Sequence, residues 1–448
     1  MTIVAILLAA VAAALVLYLA ATTKESWLLI LLLFMPVRDF SLGRLFGGGS
    51  LKIGDVFIAF IFLLWLAHDV ILKRTSRLVT SNLDAAILLF IAFYAVALAW
   101  SLNPDLGLVR VVKFLRNFAL YVVIREIFTR DFVGSCRKMA AAYFLTAAAI
   151  AVVYVRSIGL ANFASLLSLT GKSSIASTDL LYIRAIPTGG GVLINGPQIW
   201  LTLAACLVFG SLLLSPSIVL RAAKILAIGV FLFLAVSTLN RSVIGLIAVA
   251  AAVFVAGAWL LGIKNVRKWI AVACLIVLAG GVALRLPQIF VKRFTNVSHD
   301  LSWLERGTLA KSAFDAFLHS PIIGIGPGSN KTWQGAFPLD PSRLADNLYL
   351  TVLSEGGLVA FGLLLAMIYY WLKYLIGGLR REDVALPLKN MLLGVLAFSV
   401  GFLFIALAGQ EIESLEPWIM MGVAAAVKAR YFPRAGREPR PPLEGAGA

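Results

Sequence analysis

The stretch ILAIGVFLFLAVSTLNRSVIGLIAVAAAVFVAGAWLL, residues 225–261, decides the fold. It runs for nearly forty residues with one charge, Arg241, near its middle. A helix that crosses the hydrocarbon of a bilayer needs about 20 apolar residues. The stretch therefore reads as two spans, Ile225–Leu239 and Ser242–Leu261, joined at Asn240-Arg241-Ser242. Similar runs recur on both sides of it: Ile3–Ala21, Trp27–Met35, Asp55–Ile71, Ala85–Leu102, Leu108–Phe128, Met139–Val155, Val192–Leu214, Trp269–Leu284, Leu348–Leu372, Met391–Leu407 and Trp418–Val427. The expected fold is an all-α polytopic membrane protein with about twelve or thirteen transmembrane helices.

The composition agrees. Of 448 residues, 61% are hydrophobic and 14% charged, where soluble domains carry about 45–50% and about 25%. A soluble enzyme, a disulfide scaffold, a disordered chain and a nucleic-acid-binding domain are poor fits. The first run, Ile3 to Ala21, has no basic residue ahead of it and reads as a retained helix rather than a secretory signal. Cys136, Cys206 and Cys274 are far apart and read as buried small hydrophobes, not as a disulfide or metal framework.

The excess of Lys and Arg, 39 against 22 Asp and Glu for a net +17, collects in short loops. These are Lys73-Arg74 with Arg77, Arg125 to Lys138, Arg221 with Lys224, Lys264 to Lys268, Arg380-Arg381, and the tail from Lys428 to Arg440. The positive-inside rule puts them in the cytoplasm. The two longest connections, about 156–191 and 286–345, then fall outside, with the turn holding Glu411, Glu413 and Glu416. Residues 1–430 are expected as one transmembrane domain, and 431–448 as a disordered cytoplasmic tail. Within the second long loop, Leu301, Leu304, Thr308, Phe314, Phe317 and Leu318 recur at three and four, which predicts an amphipathic helix after Ser298. Ser320-Pro321 should end it, with Gly324-Ile325-Gly326-Pro327-Gly328 as a rigid turn.

Several charges sit where the bilayer makes them costly. An arginine at the bilayer centre costs about 2.5–3.5 kcal/mol or more, so Arg241 either snorkels from a hairpin tip or serves as the cation of a lipid-phosphate site. Arg110, Lys113, Arg116 and Asn117 are spaced by three and four along one helical face. That stripe either meets headgroups at the interface or faces inward and attracts a polyanionic lipid head. Arg306 and Arg184 add guanidinium groups on the same expected side, and the guanidinium fork matches two phosphate oxygens. In Asp346-Asn347-Leu348 through Glu355-Gly356-Gly357, nine residues separate Asp346 from Glu355 and place them on opposite helical faces. Asp346 reads as a helix cap or as a base at the mouth of the span; Glu355 reads as a buried ion pair or as a functional group. His68, His299 and His319 are too scattered for metal ligation, and no nucleotide-binding glycine loop is present.

Four of these patches carry a resemblance to the O-antigen ligase and polysaccharide polymerase superfamily of bacterial membrane glycosyltransferases. Arg184 through Gly189 to Asn195-Gly196-Pro197 is similar to the family's approach to a span. Ser237 to Ser242 resembles its Ser-x-x-x-Arg signature, and Trp303 to Ala313 its Arg-containing loop helix. Ser320 to Gly328, followed by Asp346 to Leu350 and Glu355-Gly356-Gly357, is similar to its Gly-Pro-Gly turn and the span beyond it.

The resemblance implies a GT-C-like fold in the bacterial inner membrane, with the active site facing the periplasm. It implies transfer of a glycan from undecaprenyl diphosphate without metal or cofactor. Arg241 and Arg306 would hold the diphosphate, Asp346 would act on the acceptor, and Arg184, Lys113, Arg116, Asn347 and Glu355 would bind substrate. Expected partners are the lipid-linked glycan, membrane lipid, and flippase and chain-length regulator proteins, with no nucleic acid. Ligases usually carry His where this chain has Asp346, which favours an O-antigen or exopolysaccharide polymerase over a ligase acting on lipid A core. A carrier or flippase for a lipid-linked anion is the alternative of another class.

Overall fold

A computed structural model describes residues 41–44, 50–66, 70–71, 80–158, 185–188, 192–195, 197–215, 217–237, 241–260, 301–333, 347–408 and 414–432. The expected spans Ile3–Ala21, Trp27–Met35 and Trp269–Leu284 lie outside them.

Among the described residues the chain is helical apart from two short antiparallel hairpins, β1 (Ser41–Arg44) with β2 (Ser50–Lys52) and β3 (Ala185–Thr188) with β4 (Val192–Asn195). The helices are α1 (Ile53–Trp65), α2 (Asn82–Val96), α3 (Pro104–Arg130), α4 (Phe132–Ile158), α5 (Pro197–Gly210), α6 (Ile218–Ser237), α7 (Arg241–Leu260), α8 (Leu301–His319), α9 (Leu348–Arg380), α10 (Leu386–Ile405) and α11 (Glu416–Tyr431). Five segments are long and apolar enough to cross a membrane: Asn82–Trp100, Ile218–Ala235, Val243–Leu260, Leu348–Arg380 and Leu386–Ile405. The protein is an all-α polytopic membrane protein, as its hydropathy requires.

The helix boundaries have local causes. Ser81 and Asp84 form a reciprocal capping box that starts α2, which satisfies two of the backbone donors a helix start leaves open. Asn103 caps α3 by accepting from the Leu106 N–H at 3.1 Å, and Pro104 follows, where its missing N–H costs nothing. The span expected from Val192 begins instead at Pro197, because Val192–Asn195 is spent on the β4 strand. The last helix continues through Tyr431, and Arg381 stacks over the Phe432 ring at 5.3 Å. The packed chain thus extends two residues past the expected end of the membrane domain.

Small residues let helices approach closely, as is usual where lipid gives no hydrophobic push between them. A Cβ on Gly394 would lie 2.7 Å from the Cys206 carbonyl oxygen and 3.0 Å from the Gly210 Cα. At that crossing of α5 and α10 the Asn390 Nδ2 donates to the carbonyls of Phe209 and Gly210 at 3.2 and 2.8 Å, satisfying the end of α5. Cys136 and Cys206 are buried free thiols, as expected.

A second buried polar knot was not legible in the sequence. The Asp84 carboxylate accepts from Tyr121 Oη at 2.6 Å and Arg125 Nη1 at 2.7 Å. It also accepts from the backbone N–H groups of Thr80 and Ser81 at 2.7 and 2.6 Å. Arg125, read from sequence as a cytoplasmic loop charge, is instead 1% exposed inside the bundle. The knot ties the start of α2 to α3.

Candidate functional site

Three contacts place the sequence-flagged elements at one end of the bundle. Gly245, one turn into α7, lies against the Phe404 ring near the end of α10. Tyr349, at the start of α9, donates from its hydroxyl to the Leu403 carbonyl at 2.8 Å. Leu350 packs on Leu309 and Ala313 of α8. The first residue of α7 is Arg241, and Arg306 precedes Leu309 by one turn on α8. The N-termini of α7 and α9 therefore both reach the C-terminal end of α10, and the Arg306 turn of α8 is one turn from the contact with α9. Two helix N-termini at one end of the bundle add partial positive charge that favours an anion.

Arg306 is half-buried on α8, and Lys113 is half-buried on α3. Asn347 is the N-cap of α9, its Oδ1 accepting from the Leu350 N–H at 3.1 Å. The cap considered for Asp346 is thus made by its neighbour. Asp346 and Arg184 lie outside the described residues. Asn347→Ala should cost about 1 kcal/mol, the usual loss for a polar N-cap, measured as a small drop in melting temperature of the purified protein.

The stripe on α3 is compensated by carboxylates on other helices. Arg110 pairs with Glu355 of α9, and Arg116 pairs with Asp55 of α1. Arg116 also donates from Nε and Nη2 to the Asn117 Oδ1, at 3.0 and 2.8 Å. Glu355 is fully enclosed and Arg110 is 7% exposed. Of the two readings of Glu355, the structure shows the buried ion pair. Sequence gave no signal for this partner, since 245 residues separate the two.

Glu355 sits at a break in α9. Gly357 has φ 60° and ψ −161°, a conformation open almost only to glycine. The expected glycine turn fills the break. Ile325 and Gly326 donate their N–H groups to the carbonyls of Ser354 and Glu355 at 3.0 and 2.9 Å. In return Leu358 and Val359 donate to Pro321 and Ile322 at 2.9 and 3.2 Å. Gly324, Gly326 and Gly328 all have positive φ. The side chains of Asn330 and Ser354 exchange hydrogen bonds across the junction at 2.8 and 3.0 Å. The Gly-Pro-Gly turn and Glu355-Gly356-Gly357, distant in sequence, are two halves of one structural unit.

The helix forecast in the loop is present as α8 and ends at His319, as Ser320-Pro321 requires, but its buried stripe is Leu309, Ser312, Ala313 and Ala316. Phe314 and Leu318, two of the large apolar residues that predicted the helix, are 49% and 61% exposed. The periodicity counted large apolar residues, while small ones make the close contact with α9.

These features define a polytopic membrane protein with the N-termini of α7 and α9 and the Arg306 turn of α8 at one end of the bundle. Residues 228–365 match the family profile described as O-Antigen ligase, the family that the sequence patches resemble. The matched segment contains Arg241, all of α8, the glycine turn and the first half of α9. A search of curated proteins gave no match. Among the described residues no group of His, Cys, Asp and Glu has the makings of a metal site.

Proposed function

We propose that the protein is a membrane glycosyltransferase that joins undecaprenyl-diphosphate-linked oligosaccharide repeats into a surface polysaccharide, without metal, at the periplasmic face of the bacterial inner membrane. The observation that carries this reading is that, within the family-matched segment, the α7 and α9 N-termini and the Arg306 turn lie at the same end of the bundle, around the end of α10.

In the proposed step an acceptor hydroxyl oxygen attacks the anomeric carbon of the donor sugar. The bond from that carbon to the lipid diphosphate breaks, and its electron pair leaves with the diphosphate. Arg241 and Arg306 stabilise the charge that develops there, and fixed cations do this without reorganisation at the moment of reaction. Asp346 takes the hydroxyl proton. Arg184 and Lys113 extend the cationic surface toward the lipid head. Asn347 and Arg116, held by Leu350 and Asp55, shape the wall beside it, while Glu355, expected to bind substrate, is enclosed in its pair with Arg110 and acts only by holding the break in α9.

The family description itself favours a second reading, a ligase that moves finished glycan to another acceptor. Asp346, standing where ligases usually carry His, favours the polymerase. Deleting the protein in its host and sizing the lipid-linked and surface glycans by gel and mass spectrometry separates the two. Single repeats on the lipid are the expected result. Long chains stranded on the lipid would instead establish the ligase, and no change in either pool would reject both.

A further inference from the structure

The outward face of α8 changes character along its length. Its exposed stripe runs Gly307, Lys311, Phe314, Leu318 at helical spacing, so a cation is followed by two large apolar groups about 4.5 and 10.5 Å further along the axis. The turn continues the trend, with Ile322 65% exposed and Ile323 42%. Leu358 and Val359 beside it on α9 are also exposed, and they belong to a membrane-spanning helix.

Depth can be counted along α9. Ten rises of 1.5 Å place Leu358 about 15 Å from the start of the helix. Further along, before the helix ends at Arg380, Tyr369, Tyr370 and Lys373, with the Lys373 Nζ 5.1 Å from the Tyr369 ring centre, make an aromatic and basic belt of the kind found at a membrane interface. A hydrocarbon core of about 20 residues counted back from that belt covers Leu358 and Val359. The turn they bond is at the same level.

Irregular backbone at membrane depth is tolerated only where its polar groups are satisfied by protein. This turn meets that condition. Pro321 and Ile322 give their carbonyls, and Ile325 and Gly326 their N–H groups, to the broken strand of α9, while the Gly324 N–H bonds the Ser320 carbonyl at 3.0 Å. An aqueous turn would not need its backbone matched in this way, nor would it expose Ile322, Ile323, Phe314 and Leu318 together.

We propose that the C-terminal half of α8 and the turn after it form a re-entrant element seated in the bilayer, with Lys311 at the lipid phosphates and Phe314, Leu318, Ile322 and Ile323 against acyl chains. The occupant of this apolar face is the bilayer because the face is continuous, through two backbone hydrogen bonds, with the lipid-facing side of α9. The inference stands independently of the reaction catalysed.

The test is depth measurement on the full chain in liposomes of phosphatidylethanolamine and phosphatidylglycerol. Nitroxide labels go on single cysteines at Lys311, Phe314, Leu318, Ile322 and Ile323, all exposed positions, with Leu365→Cys as a lipid-facing reference. Variants that elute with wild type are compared for accessibility to oxygen and to a water-soluble nickel chelate. The oxygen-to-nickel ratio is expected to rise from Lys311 through Leu318 to Ile322 and Ile323, reaching the Leu365 value. A ratio at Leu318 and Ile322 as low as that of Lys311 would overturn the proposal. So would protection from both reagents with dipolar broadening between labels, which would assign the face to a second copy of the chain. Isoleucine positions 322 and 323 serve as mutual replacements if one variant fails to insert.

Discussion

Glu355→Ala is expected to destabilise the protein by about 3–5 kcal/mol, the usual cost of removing one partner of a buried ion pair. The Arg110 guanidinium, 7% exposed, would lose its carboxylate inside the bundle. Glu355→Gln preserves volume but not charge, so it should recover only part of the loss. The double variant Arg110→Met with Glu355→Met removes both charges, and replacing a whole pair by apolar groups is often neutral or better. Melting temperatures of the purified proteins, followed by size-exclusion chromatography, decide the matter. A double variant no more stable than Glu355→Ala would mean that Glu355 matters for some reason other than this pair.

Gly357→Ala should be comparably damaging, through the backbone rather than charge. At φ 60° and ψ −161° a side chain costs about 1–3 kcal/mol of strain. The new Cβ would also lie 2.3 Å from the Ile322 carbonyl oxygen and 2.7 Å from the Gly324 nitrogen. Both are main-chain atoms that cannot move without breaking the bonds across the α9 break. Gly324→Ala attacks the junction from the other side, its Cβ 2.3 Å from the Glu355 carbonyl carbon. Because the two variants disturb one contact, their combined loss should fall short of the sum. Gly362→Ala, with nothing within 4 Å of its Cβ, is the matched control and should be neutral or slightly stabilising. Equal melting temperatures for Gly357→Ala and Gly362→Ala would remove the junction from the account.

The fold was legible because hydropathy and loop charge are local quantities. The 225–261 stretch resolves into α6 and α7 on either side of residues 238–240, and the loop helix ends where Ser320-Pro321 says it must. The glycine turn was also legible, since only glycine tolerates its backbone angles. Pairings across the chain were not. Nothing near Arg110 points to Glu355, and nothing near Arg125 points to Asp84. Nor was the face that α8 turns to α9 legible. Size favours Phe314 and Leu318 as core residues in water, but beside lipid the large apolar groups turn outward and the small ones pack.

The central proposal is that the end of the bundle holding the N-termini of α7 and α9 and the Arg306 turn of α8 transfers glycan from a lipid diphosphate. The most direct measurement incubates the purified protein in detergent, with chelator present, with undecaprenyl-diphosphate-linked repeats and follows glycan length by mass spectrometry. Wild type is expected to lengthen the glycan, and Arg306→Ala, confirmed by melting temperature to be folded, is expected to lose that activity. Repeats left unchanged by wild type, or lengthened equally by Arg306→Ala, would contradict the account.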